Sequence, residues 1–290
     1  MPINAKLAPK EAQFIVENSE ARLVIVSDDI GGRLSEVAPE LVTLSVDRAG
    51  WGAIRSGEPM PRPAICDDGD VAWLFYTSGT TGRPKGVMIT HGNLVAASLC
   101  YFADVDTPTE RDAALYPAPI SHGAGIYSFQ NVRAGSRHVV PESGAFDPDE
   151  ILELSGRLRD VTFFAAPTMV RRLVECARSR GADGDGIRTV IYGGGPMYRA
   201  DIEEAVETLG NRFVQVYGQG ESPMTISALG RAQILDRDHP RWRERLASVG
   251  VAQSCVEIRI AGPDGVALPD GEVGGVMVRG PQVMAGYWRN

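Results

Sequence analysis

No cysteine in this chain has a close cysteine neighbour. The four, Cys66, Cys100, Cys176 and Cys255, are scattered over 290 residues. That excludes zinc-type spacings and a small disulfide scaffold, and reads as reduced thiol in the cytoplasm. Positive charge is not in excess either. Lys and Arg number 29 against 37 Asp and Glu, a net −8. A general grip on nucleic acid is thereby excluded, and any anionic ligand needs a local site. No apolar run approaches the roughly 20 residues that cross a bilayer. The opening MPINAKLAPKEAQF has no apolar signal core. Internal repeats and low-complexity tracts are also lacking.

What is present is ordinary globular material, 43% hydrophobic and 23% charged. The 33 Gly and 19 Pro are spread along the chain and punctuate loops. Short apolar strands alternate with amphipathic helices. Residues 21–29, 40–46, 71–77 and 87–90 read as strands; 9–18, 91–102 and 147–160 read as helices. VTFFAA, IRTVIYGGG and RFVQVYG continue as strands, with helices over PTMVRRLVECARS and MYRADIEEAVETLG between them. This alternation predicts an α/β fold, a parallel sheet covered by helices on both faces. After about Arg245 the pattern changes to apolar/polar alternation, with turns at 263–265 and 269–271. That predicts a smaller antiparallel β subdomain. The expected divisions are 1–70, 71–245 and 246–290.

The stretch YTSGTTGRPKG (76–86) has no apolar face to bury. A strand followed by Gly, Ser, Thr and one Lys suits an anion: small residues let backbone N–H groups approach, hydroxyls donate, and lysine adds charge. A Walker loop requires Gly, four residues, then Gly-Lys-Ser/Thr. Here Pro84 precedes Lys85 and Gly86 follows it, so this is a different phosphate loop. A plain surface turn is the competing reading, but ordinary turns take only a few residues.

YTSGTTGRPKGV resembles, residue for residue, the signature of the adenylate-forming superfamily, which includes acyl- and aryl-CoA synthetases. The resemblance implies that Thr77, Ser78, Gly79, Thr80, Thr81, Gly82 and Lys85 steer the β- and γ-phosphates of ATP. YPAPISHGAG (116–125) is similar to the family segment that carries a His or aromatic residue near the substrate carboxylate. His122 falls there, with Gly123 and Ile126 beside the acid; alone, such a His reads as a satisfied, half-buried residue. IYGGGPM (191–197) resembles the Gly-Gly-Ala-Pro element. It implies adenine against Gly194, Gly195 and Pro196, and the acid beside Tyr192 and Gly193. VYGQGESPMT (216–225) is similar to Tyr-Gly-x-Thr-Glu. It implies nucleotide contacts from Tyr217, Gly218, Gln219 and Gly220, and Mg²⁺ on Glu221. Gly220 stands where the family usually has Thr, and Ser222 or a backbone N–H is the substitute. GEVGGVMVRGPQVMAGYW (271–288) resembles the last stretch before the ribose-binding segment.

The resemblance covers nearly all of the chain. It implies an ATP-dependent acid–thiol ligase acting in fatty or aryl acid metabolism. The carboxylate attacks the α-phosphate of ATP·Mg²⁺, pyrophosphate leaves, and CoA displaces AMP from the acyl adenylate. Lys85, His122 and Glu221 are the expected catalytic residues. A domain that loads a carrier protein is the nearest alternative, a luciferase-like oxygenase a distant one, and a nucleotide-binding remnant without turnover the non-enzymatic one. The family continues past Arg289-Asn290 with a ribose-binding aspartate and a small lysine-bearing domain, and begins earlier than Met1. The expectation is therefore an internal fragment of the large N-terminal domain that lacks full activity alone.

Overall fold

The inner strands of the central sheet, such as 113–115, 161–165 and 187–192, are short and mostly apolar, as both-face burial demands. The computed structural model describes residues 1–78 and 83–289, with Ser78 by its backbone only. Its contacts divide the chain into two units, Met1–His91 with Ala285–Asn290, and Gly92–Met284. The fold is mixed α/β, a parallel-rich sheet flanked by helices, with smaller antiparallel sheets.

In the first unit, α1 (Pro9–Asn18) opens with proline, whose missing N–H is no loss in a first turn. It is followed by β1 (Val24–Val26), α2 (Asp28–Ser35), β2 (Thr43–Ser45) and α3 (Ala49–Arg55). Strands β1 and β2 pair in parallel. The strand expected over 21–29 is cut short, because Asp28 and Asp29 begin a helix instead. Carboxylates are favoured in a first turn, and Asp47 fixes the start by accepting the Asp28 N–H at 2.8 Å. Then β3 (Val71–Ser78) and β4 (Pro84–Thr90) form an antiparallel hairpin. A two-residue strand, Gly286–Tyr287, lies on the other edge of β4.

The second unit begins with α4 (His91–Asp104). It continues through β5 (Ala113–Leu115), α5 (Gly123–Ile126), α6 (Ser128–Ala134), β6 (Arg137–Val139), α7 (Pro148–Leu158), β7 (Val161–Ala165), α8 (Pro167–Arg180), β8 (Ile187–Tyr192) and α9 (Arg199–Leu209). After these come β9 (Phe213–Gln219), β10 (Ser222–Leu229), α10 (Arg231–Leu235), α11 (Trp242–Leu246), β11 (Val251–Ala252), β12 (Glu257–Ala261) and β13 (Gly275–Arg279). Seven strands lie in the order β11-β10-β9-β8-β7-β5-β6. The block from β6 to β9 is parallel; β10 and β11 join antiparallel. Strands β12 and β13 make a separate antiparallel ribbon within the expected β region.

Alternation splits the sheet's side chains between two apolar clusters. Ile151 of α7, Leu173 of α8 and Ile202 of α9 pack with Phe163, Val190, Tyr192 and Phe213 on one face. Tyr101 of α4 and Val105 just after it, with Tyr127, pack on Ile191, Val214, Val216 and Met224 on the other. Burying each such aliphatic side chain contributes roughly 1.5–3 kcal/mol. Helix α7 is capped by Asp147, which accepts the N–H groups of Asp149 (2.9 Å) and Glu150 (3.2 Å). The chain after α4 is pinned by Asp106, which accepts from Arg188 at 3.1 Å, from Arg231 at 3.3 Å and from the Thr189 hydroxyl.

Candidate functional site

Parallel strands leave their carboxyl ends along one edge of a sheet, the usual ligand edge of α/β folds. In the second unit three motif segments and the start of α8 lie there. His122 follows β5, Pro167 follows β7, Gly193–Gly195 follow β8, and Tyr217–Gln219 end β9.

Glycines let these segments touch. A Cβ on Gly195 would stand 3.6 Å from Pro167 Cδ, in ordinary contact. One on Gly193 would come within 2.4 Å of the Val216 carbonyl oxygen, so only glycine fits. Gly218 is closer still, 2.2 Å from the Met224 backbone nitrogen, and Gly123 would meet Met224 Sδ at 2.9 Å. Met224 itself has φ +61°, a left-handed conformation unusual for its type. The segments β5–α5, β8–α9 and β9–β10 thus meet at glycines, Gly193 and Gly218 against backbone and Gly123 against the Met224 side chain.

Gly220 and Glu221 form the tip between β9 and β10, where Gln219 pairs with Ser222. Beyond that pair β10 bulges, regaining register only at Ser227 opposite Tyr217. The Gln219 amide donates to the Tyr217 hydroxyl at 3.1 Å. Glu221 is half-buried, and its carbonyl accepts the Met284 N–H at 2.9 Å. Ser222 is buried, 3.4 Å from the Thr225 hydroxyl and receiving the Gln282 amide at 3.3 Å. This hydroxyl is therefore engaged within the protein. Among the described residues no group of three or more His, Cys, Asp or Glu side chains is gathered as a metal cage.

His122 is exposed and stands immediately before α5, its Nδ1 3.1 Å from the Ser121 hydroxyl. Ile126 and Tyr192 are placed differently. They are 1% and 0% exposed, and the Tyr192 hydroxyl donates to Gln215 at 3.3 Å. Burial pushes the Tyr192 phenol above its ordinary range. Both are core side chains here, presenting no surface to a ligand. Gly194 takes φ +76°, and Pro196 closes the turn into α9.

The described flanks of the phosphate-loop motif belong to the first unit and lie paired on β3 and β4. Thr77 pairs with Lys85 and Ser78 with Pro84. Strand β4 thus starts three residues before the expected 87–90 strand and carries Lys85 on it. Gly79, Thr80, Thr81 and Gly82 lie outside the described residues. The Lys85 ammonium sits over the Tyr287 ring, 5.1 Å from its centroid.

Met224, Gln282 and Tyr287 carry no role in the sequence reading. All three fall inside quoted motifs, and a positive φ is not visible in a sequence. The polar look of SPMTISAL hid β10, whose eight residues are all buried.

A family model described as AMP-binding enzyme matches residues 1–288. Feruloyl-CoA synthase of an Amycolatopsis species is 33% identical, over 99% of this chain and 56% of that protein. The fatty acid–[acyl-carrier-protein] ligase ScoC of Streptomyces coeruleorubidus is 30% identical, over 99% and 56%. Crystalline ATP-bound MatB from Rhodopseudomonas palustris superposes with a TM-score of 0.83 at 27% identity, covering 100% of this chain and 56% of that one. The chain spans about half the length of the curated relatives it matches. With a family match reaching from end to end, the chain belongs to the AMP-binding enzymes of the adenylate-forming superfamily.

Proposed function

We propose that this chain is the nucleotide- and acid-binding part of an AMP-forming acid–thiol ligase, with a fatty or aryl carboxylic acid as substrate and CoA as acceptor. The observation that carries the reading is the set of close approaches at glycines along one sheet edge, Gly195–Pro167, Gly193–Val216, Gly218–Met224 and Gly123–Met224. It brings the residues expected to hold adenine, metal and acid onto neighbouring strands of one unit. Relatives named as CoA ligases, and an ATP-bound neighbour, support the class.

Little covalent chemistry falls to the protein in such a reaction; alignment and charge neutralisation are its work. Gly193, Gly194, Gly195 and Pro196 offer bare backbone for a flat base, and Tyr217 offers a ring beside it. The exposed His122 imidazole orients the carboxylate toward the α-phosphate. Thr77, Ser78, Lys85 and the intervening residues steer pyrophosphate. Ser222 is occupied by Gln282, so the place of the missing Thr hydroxyl at Gly220 falls to a backbone N–H. Ile126 and Tyr192 act as packing beneath the acid.

A lone Glu221 suits Mg²⁺, a cation that keeps most of its shell as water and substrate phosphate. Bound there, Mg²⁺ would neutralise phosphate charge. Glu221 fits that duty because its backbone is fixed through Met284 while its side chain remains partly exposed.

Carrier-protein loading is the second reading, favoured by the likeness to the acyl-carrier-protein ligase. The test is thioester formation by the natural protein with ATP, feruloyl-type and medium-chain acids, and either CoA or a carrier protein. Product on CoA supports the first reading, product on the carrier alone the second. Acid-independent release of AMP contradicts both.

A further inference from the structure

The segment 285–288 lies along β4 and is fastened on both sides of Tyr287. The Ala285 N–H donates to the Met88 carbonyl at 3.0 Å, and the Trp288 N–H to the Gly86 carbonyl at 2.7 Å. The Trp288 indole N–H reaches the Asn18 carbonyl at 2.9 Å. Asn18 in turn accepts the Tyr76 hydroxyl through its side chain at 2.6 Å. Gly86 makes this closure possible: a Cβ there would stand 3.0 Å from Tyr76 Cζ and 3.4 Å from Trp288 Cβ. Arg289 pairs with Glu20 and stacks on the Trp288 ring at 5.8 Å. The Tyr287 ring is therefore held by its backbone and by both flanking residues.

Lys85 extends over that ring, 5.1 Å from its centroid. A long ammonium side chain loses rotamer freedom when it is fixed by a ligand. An aromatic face attracts the ammonium yet neither neutralises it nor occupies its outward N–H donors. A carboxylate would do both, and among the described residues none forms an ion pair with Lys85. The partner chosen here restricts the cation while leaving it charged for an anion.

We infer that Tyr287 is a positioning residue for Lys85, holding its ammonium extended along β4 for a phosphate group. The inference rests on the reading of 76–86 as a phosphate loop.

A double-mutant cycle tests it, with pyrophosphate affinity of the 290-residue chain read by calorimetry for Tyr287→Leu, Lys85→Ala and the double variant. The expected result is a three- to tenfold weaker affinity in Tyr287→Leu, with no further loss when it is added to Lys85→Ala. Tyr287→Phe, which keeps the π face, stays within twofold of the parent. Tyr287→Met fills the volume without a π face, and carries the leucine expectation should the leucine variant not fold. Wild-type affinity in Tyr287→Leu beside a weakened Lys85→Ala overturns the positioning role alone. Independent, additive losses overturn it too, as a merely structural residue behaves that way. Unchanged affinity in Lys85→Ala instead sinks the phosphate-loop reading.

Discussion

Gly218 and Met224 approach so closely across the β9–β10 hairpin that a Cβ on Gly218 would stand 2.2 Å from the Met224 backbone nitrogen. The contact is backbone to backbone, so no side-chain rotation relieves it. Gly218→Ala is expected to lower unfolding free energy by about 1–3 kcal/mol, the usual cost of overpacking. It should also disturb nucleotide binding by moving Tyr217. Urea denaturation and ATP titration check both. An unchanged midpoint would mean the hairpin bends freely.

Of the two cations in the phosphate-loop motif, Arg83 and Lys85, it is Lys85 that lies on β4. Lys85→Ala is expected to slow acid-dependent ATP–pyrophosphate exchange by about 10²-fold, in line with the loss of one preorganised charged donor. Its urea midpoint should hardly change, since the side chain is only half-buried.

Glu221 is expected to act through the metal. Glu221→Gln should raise the Mg²⁺ concentration for half-maximal exchange by about tenfold or more. Equal Mg²⁺ dependence in variant and parent would remove Glu221 from the metal role.

Cys100 gives a prediction about pH. Burial first, then a hydrogen bond with Cys255, pushes its thiol from 9.0 up to about 12. The thiol is neutral when protonated. Below about pH 9 both folded and unfolded chains keep the proton, and the associated stability is fully present. Between about 9 and 12 the unfolded chain sheds a proton that the folded chain holds, so stability falls as pH rises. Urea midpoints at pH 8 and pH 10 should show this fall, and Cys100→Ala should make it shallower. At pH 8 the exposed Cys66 should alkylate first and Cys100 only on unfolding. Equal labelling rates would contradict the burial argument.

Much of the fold was legible because its inner parallel strands are mostly apolar and several helices carry their own start and stop residues. Asp147 and Pro148 announce α7, and Gly181 at φ +63° ends α8. The motifs likewise marked glycine-rich segments that meet at one edge of the sheet. Distances across the fold were not legible. Nothing local says that Tyr192 turns into the core while Gly193, one residue on, meets Val216. Strand β10 was hidden because Ser222, Thr225 and Ser227 are buried, and their hydroxyls are met by neighbours such as Gln282 and the Val249 carbonyl. The helix over 28–35 was missed because VIVSDD reads as a strand until the two carboxylates are seen as a first turn.

The central claim is that this fold activates a carboxylic acid as its adenylate. The most direct measurement is exchange of labelled pyrophosphate into ATP by the natural protein, with and without a panel of aryl, fatty and amino acids. The account predicts exchange that depends on an aryl or fatty acid and is lost in Lys85→Ala. Exchange with no acid dependence, or none with any aryl or fatty acid, would contradict it.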